Sequence, residues 1–301
     1  MIKQTLFFST PVSLSLKYNQ IEISFKESEE IITRPIEDVG LVIIENPMVH
    51  ITVPLLNALA NSNVTVVFCD NKCMPNTMLM PLESNSIQQE VYRFQTEVTQ
   101  PTKKRIWKEI IENKIRNQAT LLDILGLDGS LLKPYYMNVL SGDSNNREGI
   151  AAKIYWQQIF GKEFIRKREG AYPNTILNYG YTIFYGYTIL RAAVTRALLG
   201  SGLFPAFGLF HRNRYNAFPL ADDIMEPYRP FVDFAVKQIY DFSSHNEINK
   251  EIKQVLTQVL YTDVKIKKQI HPLQIALSIT TASLVRALKD KKENIIYPTF
   301  V

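Results

Sequence analysis

Cysteine is nearly absent from this sequence of 301 residues, which contains only Cys69 and Cys73. Three residues separate the two, and no second pair of cysteines lies elsewhere in the chain. This spacing argues against a structural zinc site, which needs four ligands at short, paired intervals. The hydrophobic fraction of 46% and the charged fraction of 21% are typical of a globular protein with a sizeable core.

The sequence also lacks a long apolar run. It does not open with a basic segment followed by an apolar one, so we predict no signal peptide and expect the protein in the cytoplasm. The candidate for a membrane span is the uncharged stretch of residues 170–190, but it is rich in Asn, Gly, Thr and Tyr, and Arg191 and Arg196 follow it. We therefore predict a buried helix there rather than a membrane span, and no membrane partner.

Basic residues outnumber acidic residues only in the second part of the chain, after residue 85. The net charge is +5, yet residues 1–85 hold 5 Lys and Arg against 9 Asp and Glu, whereas residues 86–301 hold 29 against 20. The second part is therefore the one expected to meet a polyanion such as DNA. Helix faces that are basic only because they are solvated remain the alternative.

The hydrophobic pattern changes its period near residue 85. Before that point short segments such as SLSLKY and IEISF alternate with period two, which predicts strands. After it, apolar residues recur at steps of three and four, which predicts helices. We predict an α+β fold, in which residues 1–82 form a small antiparallel β domain, residues 83–87 a linker, and residues 88–301 a larger all-α domain. The first domain has free sheet edges and no catalytic cluster, so we expect it to mediate dimerisation.

Several basic residues in the second part are candidates for contact with DNA phosphates. One group opens a predicted helix, where positive charge opposes the helix dipole. A second group is a short basic run, and a third flanks a histidine. The candidates are Lys103, Lys104 and Arg105; Arg166, Lys167 and Arg168; and Arg212 and Arg214. For the first group, a solvated helix face explains the charges equally well.

An acidic residue, Glu148, lies on a predicted inward-facing helix stripe. Glu148, Ala152, Tyr155 and Ile159 follow one another at steps of four, three and four, so they share one face. A buried carboxylate without a partner costs several kcal/mol, on the order of the desolvation penalty of a charge. Glu148 therefore needs either a salt bridge or a metal ion.

The segment at residues 211–234, HRNRYNAFPLADDIMEPYRPFVDF, combines an imidazole with carboxylates. His211 precedes Glu226 by fifteen residues, and a folded-back loop could bring both to one divalent ion. Asp222 and Asp223 could instead serve as ordinary helix-capping residues. Pro227 is expected to kink the chain and to re-aim Glu226.

Three blocks of sequence resemble a known family. They are NREGIAAKIYWQQIFG, YPNTILNYGYTIFYGYTILRAAVTRALLGSGLFPAFGLFHRNRYNAF and PLADDIMEPYRPFVD, in this order, over about residues 145–233. The sequence is similar to the CRISPR-associated integrase of the adaptation module, in the form found with single-effector, type II systems. The resemblance implies a β domain, a helical catalytic domain, and a homodimer, two of which assemble with a dimer of the second CRISPR adaptation protein. Other adaptation proteins of the same locus are further candidate partners.

The resemblance also implies a site. Glu148, His211 and Glu226 match the metal ligands of that family, and Asp223 matches a nearby acidic position with a supporting role. Two carboxylates and an imidazole suit Mg²⁺ or Mn²⁺. The implied function is a metal-dependent integrase that inserts short double-stranded DNA fragments into a CRISPR array by attack of a 3′-hydroxyl on a phosphodiester. A metal-dependent nuclease or branched-DNA resolvase, and a DNA-binding scaffold without catalysis, are the alternatives.

Overall fold

The computed structural model describes residues 3–26, 28, 30–71, 75–162, 179–211, 213–242, 249–290 and 292–301. The chain divides into two compact units, Met1–Ser86 and Ile87–Val301. Residues 83–87 form neither helix nor strand. Within these described residues, no helix is both long enough and apolar enough to span a membrane.

The first unit contains two four-stranded sheets. Its strands are β1 (Gln4–Phe8), β2 (Val12–Lys17), β3 (Gln20–Phe25), β4 (Ile31–Pro35), β5 (Val39–Ile44), β6 (His50–Ile51), β7 (Thr65–Cys69) and β8 (Pro75–Leu79), with helix α1 (Val53–Asn61) before β7. The strand orders are β1-β5-β7-β8 and β4-β3-β2-β6. Apolar residues of both sheets and of α1 form one buried core.

Pairing in these sheets differs in part from the predicted antiparallel arrangement. The pairs β2–β3, β3–β4 and β7–β8 are antiparallel as predicted, but β1–β5, β5–β7 and β2–β6 are parallel. Strand β5, VGLVII, is buried at every position because it lies between two parallel neighbours. Such a continuous apolar run is typical of a central strand in a parallel sheet, where both faces are covered.

The second unit is mostly helical, as predicted. Its helices are α2 (Gln88–Glu97), α3 (Gln100–Ile124), α4 (Lys133–Met137), α5 (Arg147–Phe160), α6 (Tyr179–Gly200), α7 (Pro219–Met225), α8 (Arg229–Phe242), α9 (Lys250–Gln258) and α10 (Leu273–Lys289). The long helix α3 contacts α4, α5, α7 and α8. Its buried face, which includes Ile106, Ile110, Ile111 and Ile115, recurs at helical spacing and forms the centre of this unit.

One part of the second unit is not helical, contrary to the all-α prediction. Strands β9 (Asp263–Ile266) and β10 (Gln269–Pro272) form an antiparallel hairpin between α9 and α10. Its two-residue turn is Lys267-Lys268, with φ values of 49° and 66°. Both residues thus adopt the left-handed conformation that a tight hairpin turn requires, although lysine is not a typical residue for it. Buried Val264 and Ile266 hold the hairpin against the helices.

Candidate active site

Lys114, in the middle of helix α3, lies between two carboxylates. Its Nζ atom is 2.5 Å from Glu148 Oε1 and 2.6 Å from Glu226 Oε2. The exposed fraction of the side chain is 9% for Lys114, 2% for Glu226 and 29% for Glu148, so solvent reaches the group mainly past Glu148. Burial by itself lowers the pKa of Lys114, but the carboxylates of Glu226 and Glu148 more than offset this effect. The pKa of Lys114 is therefore raised, and its amine is charged.

Glu226 is a buried carboxylate between two cations. Its Oε1 atom is 2.8 Å from Arg229 Nη2, and its Oε2 atom faces Lys114. Burial alone raises the pKa of Glu226, but Arg229 and Lys114 more than offset this effect and lower it. Glu226 Oε2 lies within ion-pair distance of Lys114 Nζ.

The loop after α6 presents His211. Helix α6 ends at Gly200, and Gly202 takes a φ of 78°, which turns the chain away from the helix axis. Asp223, on α7, accepts hydrogen bonds from the main-chain N–H groups of Leu209, Phe210 and His211 at 2.6, 3.1 and 3.1 Å. The same carboxylate lies 2.7 Å from His211 Nδ1. Asp223 thus fixes both the loop and the imidazole ring.

The contact with Asp223 sets the chemistry of His211. The hydrogen bond to Asp223 raises the pKa of His211, and burial opposes this change without cancelling it. Since Nδ1 faces Asp223, Nε2 is the ring nitrogen that remains for a ligand. A carboxylate that orients a histidine in this way is common behind metal-binding histidines.

Local structure positions both glutamates. Asp143 accepts hydrogen bonds from the main-chain N–H groups of Arg147 and Glu148 at 2.8 and 3.1 Å, so it caps the first turn of α5. Glu226 begins a 3₁₀ turn between α7 and α8. Pro227 does interrupt the helix there, and buried Asn117 on α3 donates to the carbonyl oxygen of Pro227 at 2.7 Å. Helix α3 therefore holds this turn as well as Lys114.

Asp222 has a structural role close to the site. Arg191 on α6 donates to its two oxygens, from Nε at 2.6 Å and from Nη2 at 3.1 Å. Asn216 also donates to it, at 2.7 Å. Neither Asp222 nor Asp223 forms a helix cap with its side chain. Asp222 joins α7 to α6, and Asp223 holds the loop that carries His211.

The basic candidates divide into distinct environments. Lys103 and Arg214 line a pocket of about 510 Å³ that also includes His211. Lys103 and Lys104 line a second pocket, of about 350 Å³, next to Trp107. Arg105 instead pairs with Glu109 at 2.6 Å and donates to the carbonyl oxygens of Ala287 and Glu293, so it anchors the C-terminal segment. The candidates Arg166, Lys167, Arg168 and Arg212 lie outside the described residues.

Aromatic rings line the floor of the second pocket. Trp107 and Phe210 stack with ring centroids 4.1 Å apart and an interplanar angle of 3°. The ring of His211 meets Trp107 edge-on at 5.6 Å. Phe210 remains 46% exposed, so a flat apolar surface adjoins the histidine.

Glu148 and Glu226 lie close together, and both contact Lys114, which lies between them. Over the described ranges, no group of three or more His, Cys, Asp and Glu side chains is arranged to hold a metal ion as it stands. Sequence reasoning missed Lys114 and Arg229. A signal for Lys114 existed, because it follows Ile110 by four residues and Ile111 by three, which places a charge on the most apolar stripe of α3.

Comparison with known proteins identifies the family. The sequence pattern described as "CRISPR associated protein Cas1" matches residues 6–271. The chain is also 36% identical over 294 residues to the "CRISPR-associated endonuclease Cas1" of Neisseria meningitidis serogroup C (strain 8013), an alignment that covers 97% of this chain and 94% of that protein. The chain belongs to the Cas1 family. The resemblance inferred from the three sequence blocks is thereby confirmed.

Two solved structures share the Cas1-family fold. One is a "Casposase bound to integration product", with a TM-score of 0.78 and 20% sequence identity over 98% of this chain and 92% of that one. The other is a Cas1 protein from Thermotoga maritima, with a TM-score of 0.74 and 16% identity over 95% of this chain and 97% of that one. At these identities the likeness concerns the fold, and it confirms the predicted combination of a strand-rich N-terminal part with a helical C-terminal part.

Proposed function

We propose that this Cas1-family chain is a metal-dependent DNA integrase that inserts short double-stranded fragments into a CRISPR array. The observation that supports this best is the meeting of Glu148 and Glu226, from two distant helical segments, on one cation. A pair of carboxylates that already binds a positive charge, beside a histidine oriented by Asp223, has the donor types that Mg²⁺ or Mn²⁺ prefers. The family relatives named as endonucleases are consistent with chemistry at a phosphodiester.

In this proposal Glu148, His211 Nε2 and Glu226 are the metal ligands. The ion, when bound, would activate the attacking 3′-hydroxyl and stabilise the leaving oxygen during in-line displacement. Asp223 holds the imidazole through Nδ1, so Nε2 would be the ligand atom, and Arg229 keeps Glu226 ionised.

The basic and aromatic surface beside His211 is the proposed place for DNA. Lys103, Lys104 and Arg214 would contact phosphates, because they line pockets next to His211 or next to the Trp107–Phe210 pair. The exposed face of Phe210 offers a stacking surface for a base. Arg105 is excluded from this set by its contacts within the protein.

Partners are part of the proposal. One of the solved structures with the same fold is titled "Cas6-RT-Cas1--Cas2 complex", with a TM-score of 0.74 and 17% identity over 97% of this chain and 36% of that one. We propose by analogy that this chain acts as a homodimer, assembled through residues 1–82, with a dimer of the second adaptation protein and with double-stranded DNA.

Plain nuclease or resolvase activity is the second candidate, since water can replace the 3′-hydroxyl in the same site. A test combines the protein, with and without its partner, with Mn²⁺ or Mg²⁺, a fragment bearing free 3′ ends and a supercoiled plasmid carrying the repeat. Joined products are expected. Cleavage without joining would establish the nuclease, and binding that is indifferent to chelator, with no products, would leave only a scaffold.

The matched variants are Glu226→Gln and Glu112→Gln. The first removes the proposed ligand charge with almost no change in shape. The second makes the same change on α3 but away from the site, where Glu112 pairs with Lys108 at a distance of 3.6 Å. Joining should be lost in Glu226→Gln alone. Equal losses in both variants would remove Glu226 from the chemistry.

A further inference from the structure

The bridging position of Lys114 is not explained by a metal site alone. Its ammonium lies within 2.6 Å of one oxygen of each glutamate, which is where a cation shared by the two carboxylates must lie. An ammonium and a divalent ion cannot occupy this space together. The two carboxylates therefore bind either Lys114 or a metal ion at a given moment.

Charge balance leads to the same conclusion. Glu148 and Glu226 together carry two negative charges, and Lys114 and Arg229 carry two positive ones, so the four groups are neutral as a set. A divalent ion entering this set would leave it with two excess positive charges. Departure of one cation from the carboxylates removes much of this repulsion, because charges within about 4 Å interact strongly in a partly buried site.

Lys114 is the cation that can leave. Arg229 holds Glu226 at 2.8 Å, and its guanidinium also lies over the ring of Tyr187, 4.8 Å from the ring centroid. Lys114 has a flexible four-carbon stem, and its partner Glu148 is the more exposed of the two carboxylates. Rotation of the lysine side chain past Glu148 toward solvent would vacate the space between the two carboxylates.

We propose that Lys114 is an internal counter-cation that competes with the divalent ion for Glu148 and Glu226, and so sets the metal affinity of the site. The inference rests on the proposed function, since it takes these glutamates to be metal ligands. Lys114 also stabilises the metal-free fold by neutralising buried Glu226. One residue thus raises stability without metal and lowers affinity for metal.

Titration calorimetry with Mn²⁺ alone, without DNA, tests the proposal on the full chain. Lys114→Met should bind Mn²⁺ with a Kd lower by about tenfold or more, because the competing charge is gone. Its melting temperature without metal should fall, and the rise in melting temperature on adding Mn²⁺ should exceed that of the unmodified protein. Lys108→Met, on an exposed part of the same helix, should change none of these quantities. Lys114→Arg, which keeps the charge, should bind Mn²⁺ about as weakly as the unmodified chain.

The outcomes distinguish a failure of the counter-cation role of Lys114 from a failure of the proposed metal site. If the unmodified chain binds Mn²⁺ and Lys114→Met binds it equally or more weakly, the counter-cation role is wrong while the metal site stands. Equal gains in Lys114→Met and Lys114→Arg would also overturn it, because charge would not be the cause. If neither the unmodified chain nor any Lys114 variant binds Mn²⁺ saturably, the metal assignment itself fails.

A crystal structure of the unmodified chain with Mn²⁺ gives a test that needs no variant to fold. The expected result is Mn²⁺ on Glu148 and Glu226, with Lys114 Nζ displaced from at least one of the two carboxylates. Mn²⁺ bound by both glutamates while Lys114 keeps its two ion pairs would overturn the proposal.

Discussion

Asp223 and His211 are joined twice. Asp223 Oδ1 accepts a hydrogen bond from the main-chain N–H of His211 at 3.1 Å and lies 2.7 Å from Nδ1 of the same residue. Its Oδ2 accepts from Leu209 and Phe210, and the Asp223 side chain is 0% exposed. The residue therefore sets the position of the imidazole through the backbone as well as through the ring, and this relationship determines how substitutions there should behave.

Asp223→Asn should lower stability more than it lowers chemistry. The amide has one acceptor oxygen in place of two, so buried N–H groups of the loop lose partners, at a cost of about 1–3 kcal/mol. His211 would be less firmly oriented, and strand joining should fall without being abolished. Chemical denaturation beside a joining assay measures both. Asp128→Asn, on an exposed cap of a 3₁₀ turn, is the control and should change neither much. Full loss of joining in a stably folded Asp223→Asn variant would show that Asp223 takes part in the chemistry and does not only position His211.

Replacing Glu148, His211 or Glu226 singly by Ala should abolish joining while DNA binding survives. A site with two ligands holds the ion loosely and misplaces it for in-line attack, whereas removal of an acid makes the surface more positive. Glu226→Ala should also lose about 3–5 kcal/mol of stability, since it leaves Arg229 without its carboxylate partner in the interior. Thermal melting and DNA binding are measured beside activity. Losses of joining that merely follow the unfolded fraction would show that these side chains are structural.

The basic residues should separate by function. Lys103→Gln and Lys104→Gln should weaken binding to all DNA sequences alike, and each lost phosphate contact should reduce the slope of log affinity against log salt by about 0.9. Arg105→Gln should leave that slope unchanged and lower stability by about 1–2 kcal/mol, because Arg105 bonds to Glu109 and two carbonyl oxygens. Binding titrations at several salt concentrations decide the matter. A changed slope for Arg105→Gln alone would reverse the assignment.

The strand-rich unit should carry the dimer contact. Its edges are available for pairing between copies, whereas the helical unit holds the proposed DNA site. Sedimentation of the full chain and of residues 87–301 provides the measurement, and the shorter form is expected to be monomeric at concentrations where the full chain is a dimer. A stable dimer of residues 87–301 would contradict this assignment.

Local sequence patterns were sufficient for most elements. The tight turn between β2 and β3 follows local preference, because asparagine tolerates the left-handed conformation, and the φ values are 48° at Tyr18 and 58° at Asn19. The hairpin at Lys267-Lys268 was not predicted, because lysine has no preference for positive φ and only the burial of Val264 and Ile266 selects that turn. Parallel pairing of β1, β5 and β7 was missed for a related reason. The partners lie far apart in the chain, and period-two patterning does not specify strand direction.

At the site, the sequence by itself determined which residue types are present and which face each one occupies. The helical period placed Glu148 on the inner stripe of α5 and, although it was overlooked, Lys114 on the inner stripe of α3. That Lys114 contacts both Glu148 and Glu226, and that Asp223 rather than a helix cap holds His211, was decided only by tertiary structure. Periodicity determines the direction of a side chain about its own helix axis. The distance between side chains on different helices depends on how those helices pack, which no local pattern contains.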